Sequence, residues 1–328
     1  MKKLAFLCSL FLCLGAGLSA KDQELKYNKD GKFKIVQFTD IHYKVGNETS
    51  AQSLELIDMI LKREKPDLVV VTGDIVYARP ALEGMRIVTE QIAKHKVPFV
   101  ITFGNHDREF EATNTELYDL VRTIPYNYLP ERPADVASPD YVLEVKASKS
   151  DEVANILYFL DSQSYDRKIK QYEWIKPEQI DWYRKTSAEY TAKNGGTPYN
   201  ALAFFHIPLP EFREATRDEN VALVGIRKEA VCPPEHNSGM FQAALDCKDV
   251  MGIFNGHEHD NDFSVYYKGV LMAYGRFGGG TKTVYNNLPA GARIIEMHEG
   301  ERKFTSWVVD KYGVKQNETV YPDTYIKK

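Results

Sequence analysis

The chain has 328 residues, of which 43% are hydrophobic and 12% aromatic, and its formal net charge is −4. This is the composition of a globular protein that is long enough to bury a large core. The weak charge argues against a nucleic-acid-binding surface and against electrostatic attachment to an anionic membrane.

The first twenty residues differ from the rest. Lys2 and Lys3 precede an apolar run over 4–18, and small residues lead to Ala20. A charged start, a short apolar run and small residues at its exit are typical of a secretory signal peptide. We therefore expect cleavage after about Ala20 and an exported bacterial protein, periplasmic or secreted, without a stable membrane anchor. A retained anchor is the alternative, although the run is short for a bilayer span.

Two cysteines, Cys232 and Cys247, remain after this segment is removed. An oxidising compartment allows them to form a disulfide. Two separate, partly buried thiols are an equally good interpretation, so both are kept as hypotheses. Neither cysteine lies at zinc-finger spacing from a histidine, so a structural zinc site is not expected.

The first part of the mature chain alternates strands and helices. Apolar segments at 33–38, 68–71 and 97–103 predict strands. Between them, apolar residues at helical spacing predict one helix after Thr49 and a second over 82–94. The order β-α-β-α-β indicates parallel strands joined by crossover helices.

The rest of the chain is less regular. Further strands are predicted at 141–145, 156–160, 201–205 and 250–254, and helices at 178–193 and 238–245. Short strands between glycine-rich turns follow near 263–267, 270–274, 292–298 and 303–309, as in an antiparallel sheet. We expect one folded domain over 21–311 and a polar tail over 312–328.

Potential metal ligands follow five of these strands. They are Asp40 and His42, Asp74, Asn105, His206, and His257 with His259. In open α/β sheets, ligands collect beyond the carboxyl ends of the strands, which parallel strands place at one edge. Residues two apart in an extended segment point to the same side, so Asp40 and His42 can bind one ion, and the His257 and His259 imidazoles face the same way. Each motif alone occurs by chance, whereas the ordered set favours a metal site.

The ligands lie in short motifs, which are, in chain order, Asp40-x-His42, Gly73-Asp74, Gly104-Asn105-His106-Asp107, His206 and Gly256-His257-x-His259. As a set they resemble the calcineurin-like metallophosphoesterase superfamily, over about 33–300. A closer similarity, to the short single-domain branch related to plant purple acid phosphatases and a fungal phosphatase, lies at 104–109, 237–241 and 254–263. The resemblance implies an α/β fold, a four-layer α/β/β/α sandwich with two mixed β-sheets, with 21–311 as the catalytic domain.

The resemblance also implies two metal ions bridged by Asp74. One ion would be held by Asp40, His42 and His259, and the other by Asn105, His206 and His257. Mixed oxygen and imidazole ligands suit iron, manganese or zinc, as divalent or trivalent ions, better than calcium or magnesium. Purple acid phosphatases carry a metal-binding tyrosine, whereas this chain has His42 at the equivalent step, with Tyr43 beside it.

The implied reaction is hydrolysis of a phosphate ester by attack of a metal-bridging hydroxide on phosphorus. His106 resembles the family's catalytic histidine, which would stabilise the transition state or protonate the leaving oxygen. Asp107 would either orient His106 or cap the following turn. A phosphomonoesterase is favoured. The alternatives are a phosphodiesterase or nucleotidase on the same site, or a metal-binding surface protein without catalysis.

Substrate recognition is predicted less directly. The candidates lie on predicted loops, and they are Arg108, Tyr43, Ser164, Tyr165 and Arg276. Arg276 is favoured because a guanidinium binds phosphate oxygens in pairs. Each of the five could equally be an ordinary surface residue. The expected partner is a phosphate-ester small molecule or a phosphorylated substrate.

Overall fold

The computed structural model describes residues 24–326, so the predicted signal peptide over 1–20 lies outside the described residues. Within 24–326 the chain forms six α-helices, namely α1 (Ala51–Glu64), α2 (Ala81–Ala93), α3 (Asn114–Arg122), α4 (Pro177–Lys193), α5 (Pro210–Ala215) and α6 (Met240–Cys247). Short 3₁₀ turns occupy Glu48–Ser50 and His106–Arg108.

The same residues form fifteen strands. They are β1 (Lys32–Phe38), β2 (Leu68–Thr72), β3 (Phe99–Thr102), β4 (Tyr141–Lys146), β5 (Val153–Phe159), β6 (Tyr165–Asp166), β7 (Gln171–Tyr172), β8 (Asn200–Phe204), β9 (Leu223–Val224), β10 (Val250–Asn255), β11 (Ser264–Tyr267), β12 (Val270–Tyr274), β13 (Gly291–His298), β14 (Phe304–Asp310) and β15 (Lys315–Tyr321). Most predicted strands are therefore present, with ends shifted by a few residues.

The first sheet has the order β15-β14-β13-β1-β2-β3. β1, β2 and β3 are parallel, as the β-α-β-α-β pattern predicts, and β13 pairs antiparallel with β1. α1 and α2 are the crossover helices between the parallel strands. The carboxyl ends of β1, β2 and β3 consequently lie at one edge of this sheet.

The second sheet has the order β4-β5-β8-β10-β12-β11-β9. Its central strands β5, β8, β10 and β12 are parallel, and its outer strands pair antiparallel. β6 and β7 form a separate two-stranded hairpin. Both large sheets are therefore mixed.

Side-chain alternation in β5 shows how the layers stack. Leu157 and Phe159 belong to the core that the two sheets share, together with the buried faces of α1, α2 and α3. Ile156 and Tyr158 point to the other face and pack in a second core with α4, α5 and α6. Because successive strand residues alternate in direction, one strand supplies both cores. The result is the four-layer α/β/β/α sandwich that the sequence predicts.

The prediction of a polar tail over 312–328 is wrong for its central part. Residues 315–321 form β15, which pairs with β14 at the edge of the first sheet. Thr319 and Tyr321 are buried and Val320 between them is partly buried, whereas Lys315 and Glu318 are exposed. An edge strand with polar residues on its open side has the composition of a tail, which explains the error.

Cys232 is exposed and Cys247 is partly buried, and both are free thiols. Of the two hypotheses for these cysteines, the structure supports separate thiols. Among residues 24–326, no helix combines the length and the apolar character needed to cross a bilayer.

Candidate metal centre

The seven predicted ligands follow strands of both sheets. The first sheet supplies those after β1, β2 and β3, which are Asp40, His42, Asp74 and Asn105. The second sheet supplies those after β8 and β10, which are His206, His257 and His259. None of the seven is more than 8% exposed. The site therefore lies where the two sheets meet at the carboxyl ends of their parallel strands.

Asp40, His42 and His259 form a compact group. The Nε2 atoms of His42 and His259 are 3.0 Å apart, and each faces Asp40 Oδ1, at 3.8 and 3.6 Å. Atoms that bind one ion at about 2.0–2.2 Å are themselves about 3 to 4 Å from one another. This is the set that the sequence assigns to one metal.

Asp74 lies between this group and His206. Its Oδ2 is 3.2 Å from His206 Nε2 and 3.6 Å from His42 Nε2, so one carboxylate faces both sides of the centre. His257 Nδ1 lies 3.4 Å from His206 Nε2. Asp40 Oδ1 is also 4.0 Å from His206 Nε2. Asp40 therefore also lies near His206, which the family resemblance assigns to the other metal ion.

Asn105 provides a direct test of whether a cation fits. Its amide donates from Nδ2 to Tyr165 Oη at 2.6 Å, which leaves Oδ1 as the free end of the side chain. Oδ1 is buried and has no hydrogen-bond partner among the described residues. A buried polar atom without a partner is costly, and a cation would satisfy it. The donor set of carboxylates, imidazoles and one amide oxygen therefore fits transition-metal ions.

Hydrogen bonds to carbonyl groups fix the orientation of two imidazoles. His206 Nδ1 lies 2.8 Å from Thr72 O, and His259 Nδ1 lies 2.8 Å from Tyr285 O. Because a carbonyl oxygen can only accept, both Nδ1 atoms carry the proton. Both Nε2 atoms are then directed at the carboxylates, which is the arrangement that supports metal-ligating histidines.

The backbone at the site is held in an unusual conformation. Asp40, His42, Asp74 and His257 have φ angles of 51°, 47°, 51° and 85°. Non-glycine residues rarely adopt positive φ, and such strain collects at functional sites. Gly104 lies so close to the centre that a Cβ there would be 2.0 Å from Asp74 Oδ1. The glycine before Asn105 is therefore required by packing.

The pKa values of the ionisable groups at the site are shifted in different directions. Burial alone would raise the pKa of Asp40, but its interaction with His42 and the charges of His206 and His259 hold it at about 2. The pKa of Asp74 likewise lies well below its ordinary value, despite burial, because His206 faces it. The same pairing raises the pKa of His206 to about 10 against the effect of burial. Burial lowers the pKa of His42 to about 4. The carboxylates are thus ionised and ready to neutralise a cation.

His106 stands at the open side of the centre. Its side chain is 22% exposed, whereas His42 and His206 are fully buried. The backbone N–H of His106 donates to Asp74 Oδ1 at 2.9 Å, and its Nε2 lies 4.0 Å from Asp74 Oδ2. Nδ1 faces Glu109 Oε2 at 2.7 Å, so Glu109 orients this ring.

Asp107 turns away from His106. It accepts hydrogen bonds at 2.8–3.1 Å from four backbone N–H groups, those of Asp74, Ile75, Val76 and Gly104. Burial and the nearby charge of Asp74 raise the pKa of Asp107 to about 7. Of the two roles proposed for Asp107, the structure supports the structural one, although the carboxylate joins two loops rather than capping the turn that follows.

The structure contradicts one of the predicted substrate contacts and shows internal contacts for two others. Arg276 is fully buried and pairs with Asp262, so the prediction that it meets a substrate is wrong. Arg108 pairs with Asp161, and Tyr43 is a core residue that is 9% exposed. Glycines around Arg276 indicate a turn but not the direction of its side chain, which explains the error.

Two of the five candidates do lie beside the site. Ser164 Oγ donates to the carbonyl oxygen of Asn105 at 3.0 Å, and the Tyr165 hydroxyl accepts from the Asn105 amide. Both therefore position a ligand residue.

Sequence reasoning missed several neighbours of the centre. They are Glu109, Tyr77, Tyr172 and Tyr285. Glu109 stands three residues after His106, a spacing at which side chains meet within one turn, and this was the available signal. The tyrosines come from other loops, and their approach depends on tertiary packing.

Comparison with known proteins agrees with this geometry. The family model for calcineurin-like phosphoesterases matches residues 33–261. Probable inactive purple acid phosphatase 29 of Arabidopsis thaliana is 31% identical, over 92% of this chain and 86% of its own. Phosphatase DCR2 of Saccharomyces cerevisiae is 30% identical, over 87% of this chain and 55% of its own.

Solved structures show the same fold. A dimetal phosphatase from Danio rerio superposes with a TM-score of 0.53 at 13% identity, covering 90% of this chain and 99% of its own. The purple acid phosphatase PPD1 of yellow lupin superposes with a TM-score of 0.56 at 15% identity, covering 89% of this chain and 54% of its own. The family match, the similarity to curated relatives over most of this chain and the arrangement of the ligands lead to one conclusion. The chain belongs to the calcineurin-like metallophosphoesterase family.

Proposed function

We propose that this protein is an exported phosphoesterase that binds two transition-metal ions and hydrolyses phosphate monoesters. The observation that carries the proposal is the convergence of carboxylates and imidazoles from both sheets, with His106 facing the same point from the open side. The preference for monoesters has weaker support, which is that several relatives are named as phosphatases.

The metals are proposed to be iron, manganese or zinc. The predicted ligands are two aspartates, one asparagine and four histidines, a set without thiolates. Oxygen and imidazole donors together favour these ions over calcium and magnesium. Bound cations would lower the pKa of a water molecule and offset negative charge on the phosphoryl oxygens.

The chain's own residues define the remaining steps. Glu109 holds the proton on His106 Nδ1 and fixes the plane of the ring, so Nε2 is the atom directed at the centre. Nε2 is placed to donate a proton to the leaving oxygen of an ester held at the candidate metal centre. Asp107 keeps the two ligand-bearing loops together through backbone hydrogen bonds and takes no part in proton transfer.

A second candidate is a metal-binding protein without turnover. The names of two Arabidopsis relatives describe them as probable inactive, which favours this alternative. Retention of every predicted ligand, and of His106 with its Glu109 partner, favours catalysis. A preparation that holds two metals but turns over no phosphate ester would support the second candidate.

The proposal is tested by turnover and metal content measured on the same samples. The purified protein, supplied with manganese, iron or zinc, should hydrolyse p-nitrophenyl phosphate faster than its bis ester. His106→Ala should lower kcat by about 10²–10⁴ with the metal content unchanged. His298→Ala is the matched control because His298 pairs with Lys32, at the end of β1 opposite Asp40. If His106→Ala loses metal together with activity, the role given to His106 is wrong.

Export is proposed from residues 1–20 alone. In a bacterial host, the full chain should appear outside the cytoplasm, shortened at its amino terminus to about Lys21. Mass spectrometry of the exported protein checks the cleavage site. A full-length protein held in the membrane would instead support the retained anchor.

A further inference from the structure

Four tyrosine rings surround the metal centre, and together we call them the tyrosine rim. They are Tyr77, Tyr165, Tyr172 and Tyr285. Each ring contacts a histidine of the site. The ring centroids are 4.6 Å apart for Tyr77 and His106, 6.2 Å for Tyr165 and His106, 4.5 Å for Tyr172 and His257, and 4.5 Å for Tyr285 and His259.

The rim is assembled from three separate loops. Tyr77 follows β2, Tyr165 and Tyr172 face each other across the β6–β7 hairpin, and Tyr285 lies between β12 and β13. The hairpin rings are 5.3 Å apart. Aromatic residues from three loops therefore meet around one point.

Tyr285 is the most accessible member. It stacks on His259 with an interplanar angle of 27° and yet remains 61% exposed. The other three rings are partly exposed. A large aromatic side chain gains stability mainly by burial, so an exposed ring beside a polar centre is better explained by contact with a bound molecule.

Hydrogen bonds hold two of the rings in position. The Tyr165 hydroxyl accepts from Asn105 Nδ2, and the Tyr285 hydroxyl donates to Glu229 Oε1 at 2.6 Å. The Tyr285 backbone is also fixed, since its carbonyl accepts from His259 Nδ1. A ring that is already oriented loses little side-chain entropy when a ligand stacks on it.

The charges near the rim are of both signs, and Lys44 Nζ lies 4.8 Å from the centre of the Tyr77 ring. Arg108 is engaged by Asp161, and Arg276 is buried with Asp262. Glu109 and Glu229 place carboxylates beside the rings. The phosphate would be neutralised at the metals, whereas the organic group would mainly meet aromatic rings.

We propose that the tyrosine rim selects phosphate esters whose organic group carries an aromatic ring next to the phosphate. This inference rests on the proposed function, because it assumes that the phosphate binds at the metal centre. Offset-stacked and edge-to-face contacts with the rim would then distinguish an aromatic ring from a saturated ring of the same size.

Binding of two non-hydrolysable ligands tests the inference without turnover. Benzylphosphonate and cyclohexylmethylphosphonate share the anionic head and differ in the ring. The saturated ring is the more hydrophobic, so plain apolar burial would favour it, whereas stacking favours benzylphosphonate. Calorimetric titration of the metal-loaded protein should show benzylphosphonate binding about threefold to tenfold more tightly, the range expected for an aromatic pair.

Variants of Tyr285 test whether the tyrosine rim causes the preference for benzylphosphonate. Tyr285→Leu should bring the ratio of the two dissociation constants to about one, and Tyr285→Phe should keep the preference because it keeps the ring. Tyr199→Leu is the control, since Tyr199 precedes β8 at the edge of the sheet opposite His206. It should leave the ratio unchanged.

Each outcome decides a different claim. Equal binding, or tighter binding of the saturated ligand, overturns the role of the rim while leaving the proposed function intact. An equal loss for both ligands in Tyr285→Leu shows a structural role and also overturns the inference. If neither phosphonate binds, the inference fails, and turnover of p-nitrophenyl phosphate shows whether the proposed function fails with it.

Discussion

Two acidic residues of one turn, Asp107 and Glu109, have different tasks. Asp107 is fully buried and accepts from backbone N–H groups of the loops after β2 and β3. Glu109 is partly exposed and contacts the His106 ring. The first carboxylate therefore stabilises the loops that carry Asp74 and Asn105, and the second orients a side chain.

We predict that Asp107→Ala lowers the free energy of unfolding by about 3 kcal/mol or more. It would leave four buried N–H groups without their acceptor, and each unsatisfied group costs about 1–3 kcal/mol. Urea denaturation measures the change. Glu109→Gln is the control within the same turn and should leave stability within about 0.5 kcal/mol. Equal stability of the two variants would contradict the structural role of Asp107.

The sequence predicted the metal-ligand residues better than it predicted the side chains around them. Asp40, Asp74 and His206 could be identified because each follows a strand, and strand ends converge. The partner of Arg276 could not, because Asp262 sits fourteen residues earlier and the spacing does not indicate that the two side chains pair. Residue type and spacing predict which groups are suited to a site, but side-chain direction is decided by packing.

At the scale of elements, hydrophobic periodicity identified the parallel strands and the crossover helices. β6, β7 and β9 were missed because each has two residues, too few for a periodic signal. β15 was missed because its apolar face is narrow and its other face is polar. The missed hairpin carries Tyr165 and Tyr172, two members of the tyrosine rim.

One carboxylate ties three elements together. Asp140, just before β4, accepts from the Asp161 N–H after β5 at 2.9 Å and from Gln179 in α4 at 2.8 Å. Burial, and the charges of Asp161 and Glu178, raise its pKa from 3.8 to about 7 in the folded protein. The folded state therefore holds this proton more tightly than the unfolded chain does.

This difference predicts a pH dependence of stability. The contribution of protonated Asp140 is fully present below about pH 4 and is lost as pH rises toward 7. Asp140→Asn keeps an acceptor oxygen and cannot ionise, so its stability relative to the parent chain should increase between pH 4 and pH 7. Urea denaturation at several pH values measures this difference. Asp181→Asn, an exposed change in α4, is the control. The same difference at every pH would contradict the assignment.

At the scale of the whole molecule, the two sheets are joined by a buried polar network. Asp262 Oδ2 pairs with Arg276, and the Asp262 carbonyl accepts from Arg293 at 2.5 Å. Arg293 also donates to Ser306 in β14 at 2.9 Å. The segment after β10 in the second sheet is thereby connected to β13 and β14 in the first. Sequence patterns do not predict such pairings, because a buried charge needs a partner and tertiary packing decides which residue supplies it.

The position of the metal centre follows from this architecture. Asp40, Asp74 and Asn105 come from the first sheet, and His206, His257 and His259 come from the second. Neither sheet alone supplies all of the predicted metal ligands. Metal binding therefore requires the packed sandwich, and bound metal should stabilise the packing in return.

The most direct test of a two-metal centre bridged by Asp74 is the number of metal ions that each chain binds when Asp74 is changed. Elemental analysis of the purified protein should find about two transition-metal ions, as in two-metal hydrolases. Asp74→Asn should lose both, with folding checked by circular dichroism. Asp58→Asn, which alters a carboxylate of α1 that pairs with His95, should keep both. A folded Asp74→Asn protein that retains two ions would contradict the bridging role of Asp74.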